Sequence, residues 1–272
     1  MEVQSHIGNS TLVWQNMSIK FFAMMLGNDS VTLQLFSGKS SWDEPTDYSD
    51  LFIECYGLNE RIQSTSILLD SIKKKIISAK KYTYLSCFYR QDAPIANLLT
   101  MFGRDCGVSV AFDRSKLITA IKTHYDNVFL MFQKSGIDET NMYWGDLCYD
   151  REKFVAMLKS KIDIKKFASC RSSDIEFREL YRELLYYKST RFEDEKEFRL
   201  VLEWPLVDPR NYDTPETYRI DGIADSILSV AISKGKNMET ITKALVDYYG
   251  YNIDEEKTNP IDPLAIYKLK KR

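Results

Sequence analysis

Residues Glu195–Trp204 alternate too regularly for a helix: Phe198, Leu200, Leu202 and Trp204 fall on one side, Glu195, Glu197, Arg199 and Val201 on the other. A period of two sends successive side chains to opposite faces of a strand. A strand with one apolar side needs neighbouring strands along its edges and a hydrophobic layer against that side. The segment therefore commits the chain to a sheet with a core packed on it.

Other stretches carry the helical period. Ser173-Asp174-Ile175-Glu176 has capping-box spacing, and Phe177, Leu180, Leu184 and Tyr187 follow at intervals of three and four. Ser18 is placed to cap a short apolar helix, Ile19–Leu26, stopped at Gly27. Glu60–Lys80 reads as a longer helix with Leu69, Ile72 and Ile76 inward and a solvated lysine cluster at its end. Short helices are expected at Ile95–Phe102, at Arg114–His124 and from Asp150 through Phe154, Leu158 and Ile162. A last helix is expected to turn Met238, Ile241, Leu245 and Tyr248 inward and to stop at Gly250.

Strand-like runs occur at Thr11–Trp14, Val31–Phe36, Tyr82–Phe88, Val108–Phe112, Met142–Tyr149, Ile227–Ile232 and Pro263–Lys268. Gly38–Asp50 and Asp208–Asp221 read as polar connections, and Lys268–Arg272 as a frayed basic tail. Strands and helices mix without regular alternation, which favours α+β over a doubly wound sheet. The expectation is a single domain over 1–272, with a core of about 12–266, short flexible tails, and a mixed or antiparallel central sheet flanked by helices.

A net charge of −2 supplies no general attraction to nucleic acid or anionic membranes. Cys55, Cys87, Cys106, Cys148 and Cys170 are scattered without CxxC spacing, which fits free thiols in a cytoplasmic protein. With His6 and His124 as the only histidines, no local zinc signature exists and no metal is expected. No apolar run reaches the roughly 20 residues that span a bilayer.

The sharpest chemical feature is Glu195-Lys196-Glu197-Phe198-Arg199. Strand geometry would put two carboxylates and a guanidinium on one face, about 7 Å apart in succession. Such a set suits acid–base work or stabilisation of developing positive charge. The plainer reading is an ordinary Glu–Arg pair on an exposed strand face. Gly103 and Gly107 around Arg104-Asp105-Cys106 form no phosphate-binding fingerprint, and His124 reads as readily as a helix cap as a catalyst.

The order of short motifs resembles the bacterial "domain of unknown function 2971" family over roughly Leu12 to Ile266. The matching residues are Val13-Trp14-Gln15-Asn16, Trp42-Asp43-Glu44-Pro45, Cys87-Phe88-Tyr89, Met101-Phe102-Gly103, Gly107–Phe112 and Leu147-Cys148-Tyr149. They end with Lys188, Phe192, Glu195, Glu197, Arg199 and Val201, then Ser229–Ser233 and Tyr249-Gly250. The pattern of an early aromatic strand and a later E-x-E strand is similar in outline to ADP-ribosyltransferases. That likeness implies a split sheet cradling NAD as substrate, with Glu197 as catalytic carboxylate, Glu195 as helper, and Arg199 and Lys188 as supporting charges. Trp14 and Gln15 would contact the dinucleotide. Gln15 stands where the likeness implies a His or Arg, and Arg90 or Arg104 would have to supply the cation; Glu44 stands where it implies an aspartate. Three readings follow: an NAD-using transferase or glycohydrolase in a toxin or antiphage setting, a non-catalytic adaptor for a protein partner, and, last, a nucleic-acid-processing protein.

Overall fold

The computed structural model describes residues 12–27, 32–37, 48–58, 61–90, 107–134, 141–161, 163–170, 175–203, 217–233, 236–255 and 264–272. In chain order its elements are β1 (Leu12–Ser18), α1 (Ile19–Leu26), β2 (Thr32–Ser37), α2 (Ser49–Tyr56), α3 (Gln63–Lys80), β3 (Thr83–Tyr89) and β4 (Gly107–Asp113). There follow α4 (Arg114–Lys134), β5 (Asn141–Asp146), α5 (Arg151–Lys161), α6 (Ile164–Ser169), α7 (Ile175–Leu185) and β6 (Glu197–Glu203). The chain closes with β7 (Thr217–Asp221), β8 (Ile227–Ser233), α8 (Lys236–Tyr248), β9 (Tyr251–Glu255) and β10 (Leu264–Lys271).

The strands hydrogen-bond into one sheet in the order β5-β6-β3-β1-β4-β8-β10-β9, with β2 on β3 and β7 on β2. Every one of these pairings is antiparallel, the α+β architecture expected. There is one sheet rather than two, but it forks at β3. One edge of β3 pairs with β6 from Thr83↔Glu203 to Tyr89↔Glu197. The other edge is shared: β1 meets it at Trp14↔Tyr89, and β2 at Phe36↔Leu85 and Ser37↔Tyr84. Between those contacts, Gln15 Nε2 donates to Ser86 Oγ at 2.7 Å across the gap.

Register assigns the two faces. On the first, Val13, Val110, Phe112, Phe88, Phe198 and Leu200 form a core with Phe22 and Met25 of α1, Leu117 and Ile121 of α4, and Met238 and Val246 of α8. On the second, Leu85 and Val201 pack against α2, α3, α5, α6 and α7 through Phe52, Ile72, Leu158, Phe167 and Phe177. The sheet is thus a middle layer, and β6 is buried on both sides. Each large apolar side chain so buried contributes about 2 kcal/mol. Helix α1 runs as expected: Ser18 Oγ accepts from Phe21 N at 3.4 Å. At its end a Cβ on Gly27 would lie 2.9 Å from both Ala23 O and Tyr249 Oη, so the close approach of α1 to the end of α8 requires glycine.

Several expectations need correction. Helix α4 continues past His124 to Lys134. Residues 217–221, expected as loop, are strand β7, because β2 offers them an edge. Helix α8 buries Met238, Thr242 and Val246, while Ile241 and Tyr248 face outward, a rotation of the expected stripe. The basic tail continues β10, paired with β8 and β9, so Lys268 and Lys270 are exposed on an ordered strand. Helices α2 and α6 and strand β9 were not anticipated, and Lys80, expected in a solvated turn, is buried. The predicted helix Ile95–Phe102, the segment Trp42–Pro45, Glu44, Arg104, Cys106, Ser173, Asp174 and Trp204 lie outside the described residues. Among the described residues, no helix is long and apolar enough to cross a membrane.

Candidate functional site

Strand β6 begins at Glu197, so Glu195 is not part of the alternating run. It ends a 3-10 turn, Thr190–Glu195, and Lys196 then takes a left-handed φ of 43°. That conformation costs a non-glycine residue roughly 1 kcal/mol and redirects the chain into the strand. The turn still returns Glu195 to the same cation as Glu197. Lys188 Nζ donates to Glu195 Oε2 at 2.6 Å and to Glu197 Oε2 at 3.0 Å. Arg199 Nε donates to Glu197 Oε1 at 2.6 Å.

This quartet lies inside the protein, not on an exposed face. Glu197 and Arg199 are 2% and 1% exposed; Lys188 and Glu195 keep 17% and 15%. Arg199 Nη1 donates to Leu185 O at the end of α7, and Glu197 N donates to Tyr149 Oη at 2.8 Å. Burial alone would raise the Glu197 pKa, but attraction to Arg199 and Lys188, with donors from Arg199 and the Cys87 thiol, holds it at about 2. Burial pulls Lys188 down, yet Glu197 and Glu195 raise it above its ordinary value. Burial also raises the phenols of Tyr89 and Tyr149. The formal charges of Lys188, Glu195, Glu197 and Arg199 sum to zero.

Farther along the same face, Glu203 receives Arg178 at 3.2 Å and Arg182 at 3.9 Å, both from α7. The charged side of β6 therefore also anchors a helix. That explains why a strand buried on both faces carries Glu197, Arg199 and Glu203.

Register links this side of β6 to β1. Glu197 is opposite Tyr89, and Tyr89 opposite Trp14, so Trp14, Tyr89 and Glu197 form a row across three strands. Asn16 shares Trp14's face and is opposite Ser109. Trp14 Nε1, both amide atoms of Asn16 and Ser109 Oγ are buried with no hydrogen-bond partner among the described residues. Polar atoms in that condition cost about 1–3 kcal/mol each, a cost that a water or a ligand group at the same place would relieve. Period two from Trp14 was the available signal for Asn16; nothing in the sequence pointed to Ser109, which required the β1–β4 register.

Gln15 lies on the opposite face, among the first core's strands and bonded to Ser86, and does not approach Glu197. Arg90 does not take over either: its guanidinium pairs with Asp146 at 2.9 Å, and Asp146 is opposite Phe198 on the first face. His124 sits within α4, where Nδ1 accepts from Asp221 N and Nε2 meets Tyr218 Oη, each at 3.3 Å. Burial lowers its pKa, opposed by Asp221, so it is a neutral tie between α4 and β7. Among the described residues, no group of His, Cys, Asp and Glu is arranged to hold a metal ion. No protein-family model, curated protein or solved structure matches this chain.

Proposed function

We propose that the chain is an NAD-consuming enzyme, a transferase or glycohydrolase, working on the sheet face that carries Trp14, Asn16 and Glu197. The observation that supports this reading is the set of buried polar atoms on Trp14, Asn16 and Ser109 that lack a partner among the described residues, on the same sheet face as the ionised Glu197 and separated from it by β3. A nicotinamide carboxamide offers one donor group and one acceptor, the complement of the Asn16 amide. The indole of Trp14 would supply a flat apolar wall. In this reading the ribose–nicotinamide bond breaks, its electron pair leaving with nicotinamide. An acceptor oxygen or nitrogen, or water in the glycohydrolase case, forms the new bond to the ribose anomeric carbon and releases its proton to solvent. Glu197, ionised by Arg199 and Lys188, stabilises the oxocarbenium-like centre. Glu195, the more accessible carboxylate, orients the acceptor. An activity of this kind suits a toxin or antiphage setting.

A second reading rests on a different observation. Both Glu197 oxygens are already engaged by cations, which is how a carboxylate that holds α7 to the sheet would look. Then the same face would receive a protein partner without chemistry.

The deciding experiment measures NAD turnover by purified wild-type protein and by Asn16→Ala, Glu195→Gln and Glu197→Gln, with circular dichroism to confirm folding. Turnover in the wild type, lost in a folded Asn16→Ala or Glu195→Gln variant, supports the enzyme. No turnover at millimolar NAD ends that reading in favour of the adaptor.

A further inference from the structure

Arg90 follows β3 directly and Arg114 opens α4, so the antiparallel path through β1 brings two guanidinium groups to one end of the sheet. Both face Asp146 at the end of β5: Arg90 Nη1 at 2.9 Å, Arg114 Nη2 at a looser 3.8 Å. Arg114 is 6% exposed and its guanidinium lies 4.4 Å above the Phe198 ring, which fixes its plane. One carboxylate does not saturate two such forks. Arg90 Nε and Arg114 Nη1 are buried and have no hydrogen-bond partner among the described residues. Burial lowers the Arg114 pKa; Asp146 opposes that and Arg90 adds to it, the sign of two like charges held close together.

We propose that Arg90 and Arg114 form an oxyanion site that takes a phosphoryl group, on the sheet face opposite Glu197. A tetrahedral phosphate presents several acceptors and matches the planar donor fork of arginine, often two at a time. It would satisfy both orphaned donors and offset the surplus positive charge of two arginines against Asp146. The register puts this site behind β6 as seen from Glu197, so it stands whether or not the chain consumes NAD.

The test is calorimetric titration of the full chain with inorganic phosphate and, separately, with ADP, at constant ionic strength set by chloride. Saturable phosphate binding is expected, with the dissociation constant raised about tenfold or more in Arg90→Gln. Arg90 is the variant of choice because its side chain is 18% exposed and the fold tolerates its loss more readily than that of Arg114. Arg114→Lys, which keeps the charge but removes the fork, should also weaken binding. ADP binding more tightly than phosphate identifies the ligand as a nucleotide phosphate; equal affinity identifies the free ion. Absence of saturable binding to both, or binding unchanged in a folded Arg90→Gln, overturns the site.

Discussion

Gln15 and Glu197 occupy opposite faces of one sheet, although Trp14, one residue earlier, shares the face of Glu197 through Tyr89. Gln15 instead crosses the fork between β1 and β3 to Ser86. On β1 it is Trp14 and Asn16, not Gln15, that share the face of Glu197. The pair also shows what the buried quartet does for the fold: Arg199 and Glu197 tie β6 to α7 and to the turn carrying Glu195.

Removing one member of that buried pair should be severe. Glu197→Gln leaves Arg199 charged and 1% exposed, and a loss of roughly 3–5 kcal/mol is expected in urea unfolding. Glu195→Gln removes a more exposed partner of Lys188 and should cost about 1 kcal/mol or less. Equal losses would show that the quartet does not distinguish its inner from its outer carboxylate.

The same carboxylate should make stability acid-sensitive. Glu197 is depressed from 4.5 to about 2 in the folded protein, so its contribution is complete above pH 4.5 and is lost as pH falls toward 2. Thermal melts across that interval should decline more steeply in the wild type than in Glu197→Gln. Parallel curves would mean the charge is not held as described.

His124 predicts a second, milder window. Its folded pKa is lowered from 6.5 by burial, so the neutral ring stabilises above that pH and protonation destabilises as pH falls through the folded value. Protonated Nδ1 can no longer accept from Asp221 N. His124→Gln should flatten the decline in stability below pH 6.5; an unchanged profile would remove this tie from the account.

The turned face of α8 has a direct check. Val246 is fully buried and Ile241 is 47% exposed. Val246→Ala should cost about 2 kcal/mol, Ile241→Ala within about 0.5 kcal/mol. The reverse order would restore the stripe read from the sequence.

Helix α4 depends on its first turn. Asp113 Oδ1 accepts from Ser115 N at 2.9 Å and Lys116 N at 3.1 Å, so Asp113→Ala should cost about 1–2 kcal/mol in the same unfolding experiment. A neutral result would mean that the helix start is held by packing alone.

Local patterns were legible where one residue's neighbours in sequence are also its neighbours in space. Ser18 capped α1, Phe198, Leu200 and Leu202 shared a face of β6, and Phe177, Leu180 and Leu184 lined α7, because period and cap chemistry act over a few residues. The alternation also showed that Glu197 and Arg199 share a side. It misassigned Glu195, since a left-handed Lys196 breaks the period without any glycine to announce it. The rest was decided by tertiary contact. Edge pairing made strands of residues 217–221, where Thr217, Tyr218 and Ile220 favour a strand inside an otherwise polar connection, and of the basic tail, whose lysines have little strand preference of their own. Lys188 reaches both glutamates, and Trp14 and Asn16 come to face Ser109 and the Glu197 row, through register between distant strands. Sequence determined which residues could share a face, because that is backbone stereochemistry; only the folded sheet decided which faces meet, because burial and strand pairing join segments that no local rule connects.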